Sequence, residues 1–304
     1  ISSHTQVDGS DMASYLERLF EVFNTPYDKR DSSLPNYLKD FPYVNGGLFR
    51  DKQPIPKFTT KSRNILIEIG TLDWSEINPD IFGSMIQAVV TPEHRGDMGM
   101  HYTSVPNIMK VIQPLFLDEL YEEFEKAKGY AKKLNLLHLR IQNIKFFDSA
   151  CGSGNFLIIS YKEIRKLEML IFKEGGLLIC PSIKLTQFYG IELDDFAHEV
   201  AILSLWLAEH QMNVLFKKEF GTVPPALPLQ DGGNIVHGNA TRLDWEKVCP
   251  KNINDEIYIL GNPPYLGFLQ QNRIQKEDMD YVFADRDTIR KLDYISCWFY
   301  LGAK

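Results

Sequence analysis

Cysteine is scarce in this chain and scattered: Cys151, Cys180, Cys249 and Cys297 are the only four in 304 residues. None forms a Cys-x-x-Cys pair, so neither a thiolate zinc site nor a disulfide framework is expected, and a reducing cytoplasm fits. Long apolar runs are missing too. No stretch approaches the roughly 18 residues of a membrane-crossing helix, so no membrane partner is expected. There is no surplus of positive charge: 33 Lys and Arg face 40 Asp and Glu, a formal net charge of −7. Segments that grip nucleic acid by themselves usually carry a basic footprint, and this composition argues against that role for the segment alone. Ile1 is followed by polar residues, with neither an initiator Met nor a secretory signal, which predicts that the natural protein extends upstream. What is present is an ordinary globular mixture, 44% hydrophobic and 24% charged, long enough for one large or two smaller domains.

Residues 11–23 carry apolar side chains at helical spacing behind a cap at Ser10 or Asp11. Residues 24–61, rich in Pro, Asn, Asp and Gly, read as an irregular connector. Two more helices are expected over 62–70 and 79–90, with Pro79 in the first turn of the second. Residues 1–92 therefore predict a small all-α module without a catalytic pattern. From 93 to 304 the texture changes. Residues 105–128 predict one long helix kinked at Pro114. Short apolar runs at 144–148, 188–192, 234–237 and 256–260 predict strands, and 195–216 is strongly helical. Such alternation implies βαβ units and an α/β, Rossmann-like parallel sheet covered on both faces.

The motifs cluster at the predicted strand ends. In FFDSACGSGNF (146–156) a strand ends in Asp148, and Gly152 and Gly154 precede a helix. Ligands of open α/β sheets bind at this first strand–helix turn, where glycines let backbone approach closely. No Lys-Ser/Thr pair follows, which excludes a Walker loop, and the departure from GxGxxG disfavours NAD. GIELDD sets Glu192 at the next strand end, where a carboxylate can accept from two ribose hydroxyls; Asp194 or Asp195 supplies the helix cap. HGNATRLDW (237–245) puts Asn239 just past a third strand, although Asn-Ala there is also a common turn. Thr103 or Ser104, in HYTS, opens the helix at 105 and can bond a carboxylate or simply cap.

Reaction type rests on GNPPYLGF, 261–268. Two prolines fix the backbone and remove two donors, leaving carbonyls free to accept. The amide oxygen of Asn262 and the carbonyl of Pro263 can together accept both hydrogens of a planar amino group, turning its lone pair toward an electrophile. Pro264 stiffens the corner, and Tyr265 offers a face for a planar ring, worth roughly 1–3 kcal/mol per stacked base. The absence of a Pro-Cys dipeptide removes cytosine-C5 chemistry.

In that order, HYTS, DSACGSGNF, GIEL, HGNA and NPPY resemble the γ-group amino-methyltransferases that act on DNA. With FPYVNGGLF (41–49), LDWSEINPDIFGSMIQ (72–87), PLFLDEL (114–120) and LDYISCWFY (292–300), the chain is similar over nearly its whole length to the MmeI-like type IIL restriction–modification proteins. The resemblance implies a methyltransferase core using S-adenosyl-L-methionine, preceded by a helical connector, in a cytoplasmic prokaryotic protein acting on N6 of adenine in double-stranded DNA. His101, Tyr102 and Thr103, with Asp148, Ala150, Cys151, Gly152, Gly154, Asn155 and Phe156, would hold the methionine part of the cofactor. Glu192 would bind its ribose, Leu193 would lie against its adenine, and Asn239 with Ala240 would read the adenine's amino edge through the amide oxygen. Asn262, Pro263, Pro264 and Tyr265 would hold the extruded base, and no metal is implied. The long spacing from the glycine loop to Glu192 implies an extended helix or insertion across 160–186. Nuclease and target-recognition domains of such proteins are expected outside this segment, as are the last strands of the sheet. The same residue set could serve cytosine N4, with NPPY rather than SPPY favouring adenine by resemblance; methylation of a protein glutamine or of RNA stays open too, because NPPY serves those reactions, as does a fragment that binds cofactor without catalysis.

Overall fold

The computed structural model describes residues 1–43, 49, 52, 54–72, 81, 103–176, 178–221, 233–253, 255–283 and 291–304. Two compact units make up the chain, one formed by residues 1–77 with 225–230 and the other by 78–224 with 231–304. The helix expected over 79–90 and the boundary near residue 92 fall, residue 81 apart, outside the described residues.

In the first unit, α1 (Met12–Phe23) places Met12, Tyr15, Leu16, Leu19 and Val22 on one face and buries them with Leu38 of α2 (Asn36–Lys39). The cap expected for α1 does not form: Asp11 Oδ1 accepts instead from the amide of Gln6 at 2.8 Å. The connector is less irregular than its composition suggests. Arg30 organises it with α2, its guanidinium donating to the carbonyls of Thr25, Lys39, Phe41 and Val22. α3 (Thr60–Ile69) starts earlier than expected because Thr59 and Ser62 form a reciprocal cap, each side chain accepting from the other's backbone amide.

The second unit opens with α4 (Val105–Ile112) and α5 (Asp118–Ala127). The helical run expected over 105–128 continues through Pro114 by way of a π-helical turn over Gln113–Leu117, an irregularity of the kind that bends helices. There follow α6 (Ala131–Asn143), β1 (Lys145–Asp148), α7 (Asn155–Lys173), β2 (Phe188–Glu192), α8 (Asp195–Phe220) and β3 (Asn234–His237). The chain continues with α9 (Trp245–Val248), β4 (Ile257–Ile259), α10 (Arg273–Val282) and α11 (Ser296–Gly302). All strand pairs are parallel, in the order β3-β2-β1-β4.

Side chains alternate across this sheet as strand geometry requires. Phe188, Phe146 and Tyr258 stand in register on one face, with ring centroids 4.9 and 6.1 Å apart, and join the main core formed with α4 to α8. Phe147 and Ile191 point the other way, into a smaller cluster with Ala240, Cys249, Trp245 and Trp298. The long spacing before β2 is the 19-residue α7 and a returning segment. Fully buried Glu168 pins that segment by accepting from the amides of Ser182 and Ile183. At the amino ends of β1 and β4, Arg140 donates to Glu256, Glu123 and Glu119 at 2.7 Å each, and Lys145 pairs with Asp255. At the opposite end the chain leaves β1 toward β2 but returns at β4 on β1's other side. This reversal opens a crevice beyond the carboxyl ends of β1 and β4. No helix among the described residues is long and apolar enough to cross a membrane.

Candidate functional site

Asp148 closes β1 with its carboxyl 1% exposed, accepting from the amide of Ala150 at 3.0 Å. Burial pushes this carboxyl up to about 7; the Ala150 amide opposes the shift and the nearby Glu192 charge adds to it. Glu192 closes β2 one strand away, its Oε2 accepting from the amide of Gly152 at 2.7 Å and its Oε1 from that of Asp194 at 2.8 Å. Burial raises the Glu192 pKa against those amide bonds. The amide of Leu193 also bonds this carboxylate, which still leaves part of its acceptor capacity for a further donor. Asp194 caps α8 by accepting from the amide of Ala197.

Between them the glycine loop turns into α7. Gly154 has φ +84°, and a Cβ there would press on Ala201 of α8 at 3.3 Å, so glycine allows both the turn and the close approach of the helices. The first residue of α7, Asn155, is 7% exposed, and its Oδ1 has no partner. A buried acceptor without a donor in the chain calls for one from outside it, from water or from a ligand. A Cβ at Gly152 would meet nothing within 4 Å, so the loop borders open space. Two carboxyls, an orphaned amide oxygen and open room suit a ligand that brings positive charge and hydroxyl groups.

The NPPY corner meets this loop directly. The amide of Leu260 extends the β4 ladder to Phe147 O at 2.9 Å. Gly261 then adopts φ +144°, where a Cβ would overlap the carboxylate of Asp148. Asn262 Nδ2 donates to Thr103 Oγ1 at 3.2 Å, which turns the amide oxygen away from Thr103 as an acceptor. Tyr265 is 57% exposed beyond the half-buried prolines. Asp148 and the start of the NPPY corner thus lie against each other at the carboxyl ends of β1 and β4.

Of the other residues expected here, Phe156 and Ala240 are buried supports: Phe156 belongs to the main core, and Ala240 O accepts from Trp245 Nε1. Cys151 is buried, and its thiol is pushed well up, first by burial and then by the Asp148 and Glu192 charges. Leu193 and Phe196 form an exposed apolar rim past β2. Ser104 precedes α4 without a side-chain cap bond. His101 and Tyr102 lie outside the described residues. The amide oxygen of Asn239, expected to face an adenine, accepts instead from the amide and hydroxyl of Thr241.

Sequence reasoning missed the residues that hold the site from behind. Asp293 Oδ1 accepts from the amide of Leu266 at 2.8 Å, and Gln271 Nε2 donates to Leu266 O at 2.9 Å, fixing the chain just after Tyr265. Trp298 Nε1 donates to Ser149 O at 3.3 Å, tying α11 to the glycine loop. Buried Asp278 holds Asn239. The one available signal was the LDYISCWFY block, which contains Asp293 and Trp298.

Comparison with known proteins bears on this arrangement. Residues 124–304 match the family model of the MmeI DNA-methyltransferase domain, and residues 1–49 match that of the MmeI helicase spacer domain. DNA methyltransferase A of Bacillus subtilis (strain 168) is 53% identical over 311 aligned residues, which take in 100% of this chain and 35% of that protein. The type II restriction enzyme and methyltransferase Eco57I of Escherichia coli is 27% identical over 47% of this chain and 16% of its own length. The structure of the type IIL restriction–modification enzyme MmeI in complex with DNA superposes with a TM-score of 0.85 at 40% identity, covering 100% of this chain and 41% of that one. The chain therefore spans about a third or less of the length of these curated relatives.

Proposed function

The chain belongs to the MmeI DNA-methyltransferase family, and from that premise we propose that it moves a methyl group from S-adenosyl-L-methionine to N6 of adenine in duplex DNA. In this reading residues 93–304 are the catalytic core and 1–92 a helical connector. The whole acts inside a longer cytoplasmic restriction–modification protein, whose nuclease and recognition domains supply the basic DNA grip that a net charge of −7 does not. The carrying observation is the pair of contacts by which Gly261 abuts Asp148 and Asn262 bonds Thr103.

The residues present fit the cofactor. When bound, it supplies an electrophilic methyl on a sulfonium. Asp148 would offer a carboxylate to its positive charge, Asn155 Oδ1 would accept from one of its donors, and Glu192 would accept from its ribose hydroxyls. Asn262 Oδ1 and the Pro263 carbonyl accept the two N6 hydrogens of an extruded adenine, whose ring lies on Tyr265. Holding the amino group by both hydrogens orients its lone pair, and acceleration comes from positioning and preorganised dipoles. No side chain needs to form a covalent bond.

The test is labelled methyl transfer by the full-length protein to duplex DNA, RNA and protein in parallel. Label recovered as N6-methyladenine from duplex DNA is expected. Recovery as N4-methylcytosine, or in RNA or glutamine, would overturn the substrate.

The same cofactor reading predicts a pH effect. A cationic ligand binds the ionised form of Asp148, and a carboxyl raised to about 7 must lose its proton first below that pH. Affinity for S-adenosylmethionine should therefore tighten by up to about tenfold per unit below pH 7 and level off above it. The fold responds with opposite sign: ionising the buried carboxyl costs stability as pH rises from 3.8 toward 7 when no cation is bound. Calorimetry at pH 6, 7 and 8 checks this, with Asp148→Asn expected to flatten the profile. An unchanged profile in that variant would remove Asp148 as its source.

A further inference from the structure

The Cα–Cβ bond that aims the Tyr265 ring is fixed by the backbone on either side of it. On the amino side that backbone is stiff. Pro263 and Pro264 have ring-locked φ angles, and Asn262 before them bonds Thr103 Oγ1 at 3.2 Å. On the carboxyl side stands Leu266, whose backbone is fully committed. Its amide donates to Asp293 Oδ1 at 2.8 Å. Its carbonyl accepts from Tyr294 N at 3.0 Å and from Gln271 Nε2 at 2.9 Å, which uses both lone pairs.

Two of these three bonds come from the dipeptide Asp293–Tyr294, 27 positions along the chain from Leu266. That dipeptide is itself anchored. Asp293 Oδ1 also accepts from the amide of Ile295 at 3.2 Å, just before α11. Tyr294 is buried, donates its Oη to Asp278 at 2.8 Å, and meets Trp298 edge-on with ring centroids 5.2 Å apart. A carboxylate that takes two amides makes charge-assisted bonds, stronger than neutral ones. Asp293 thus ties the residue after Tyr265 to a fixed support. Removing its carboxylate leaves both bonds to the Leu266 carbonyl in place, so the corner loosens without coming apart.

We propose that Asp293 is a positioning residue for methyl transfer: by holding the Leu266 amide it sets where the Tyr265 ring meets the extruded base. The proposal rests on the reading that this base stacks on Tyr265. It makes a specific demand, that Asp293 matters to transfer only while the ring is there.

The experiment is a double-mutant cycle between positions 293 and 265 in the full-length protein, read as single-turnover methyl transfer to subsaturating duplex DNA. Tyr265→Ala should slow transfer by about tenfold or more. Asp293→Ala should cost about tenfold, and Asp293→Asn, which keeps an acceptor oxygen at that place, should recover most of the loss. In the Tyr265→Ala background, Asp293→Ala should add less than about twofold. A merely structural role would cost the same factor again. Duplex DNA with 2-aminopurine at the target adenine gives a second readout. Its emission in the complex, quenched by the wild-type ring, should rise alike in Asp293→Ala and Tyr265→Ala. Cofactor affinity by calorimetry should stay within about threefold of wild type in every variant. Should Asp293→Ala fail to fold, Asp293→Glu, which keeps the carboxylate but moves it by one methylene, enters the same cycle. A penalty at 293 that persists in full without the Tyr265 ring overturns the proposal. Wild-type transfer by Tyr265→Ala overturns instead the stacking reading beneath it, a separate result.

Discussion

Asn262→Ala in the full-length protein is expected to slow methyl transfer to duplex DNA by about 10²- to 10³-fold while leaving the cofactor dissociation constant within about threefold of wild type. An exocyclic amine conjugated with a purine is a poor nucleophile, and the corner acts on it by accepting both of its hydrogens. Because Asn262 Nδ2 is held by Thr103 Oγ1 at 3.2 Å, its oxygen is set as acceptor before substrate arrives. Deleting it removes a preorganised dipole from the transition state and leaves Asp148, Glu192 and Asn155 untouched on the cofactor side. Single-turnover rates with saturating DNA, alongside calorimetric cofactor binding, separate the two effects. Wild-type rates in the variant would take Asn262 out of the mechanism.

Gly261→Ala has the second largest expected effect, and it touches both ligands. At φ +144° the new Cβ would enter the Asp148 carboxylate, which is buried and has nowhere to go. The backbone must move, opening the last β4–β1 bond, Leu260 N to Phe147 O. A strained φ of this kind costs about 1–3 kcal/mol of stability. The displaced corner should lower transfer by about 10²-fold, since small misplacements of reacting groups cost that much, and weaken cofactor binding as well. Gly267→Ala is the control: a Cβ there meets nothing within 4 Å, and it should be near neutral. Equal activity of the two variants would mean that the corner and Asp148 are not mechanically joined.

Strands were the most legible part of this fold. Phe188–Glu192 and Asn234–His237 coincide with their expected spans, because a doubly covered parallel strand reads as an apolar run ending in turn residues. Helix ends were less so: the start of α3 depends on the Thr59–Ser62 exchange, and Pro114 marks an irregularity without showing that it takes the form of a π turn. The chemical half of the site was legible because Asp148, Glu192 and Asn262 each sit at a strand end that local pattern marks. Asp278 was not. Its partners, Asn239, Arg242 and Tyr294, stand 39, 36 and 16 positions away, and a lone aspartate inside a polar helix carries no local signal of such convergence.

The knot of Arg140 with Glu119, Glu123 and Glu256 has a bearing on how this protein tolerates change. It braces the amino ends of the strands whose carboxyl ends carry Gly261 in a conformation that only glycine tolerates, the costly Asp148 and the orphaned Asn155 oxygen. Ruggedness and reactivity are housed at opposite poles of the same four-stranded sheet. Substitutions that toughen the braced pole lie outside the trade-off that usually makes a hardier enzyme a slower one.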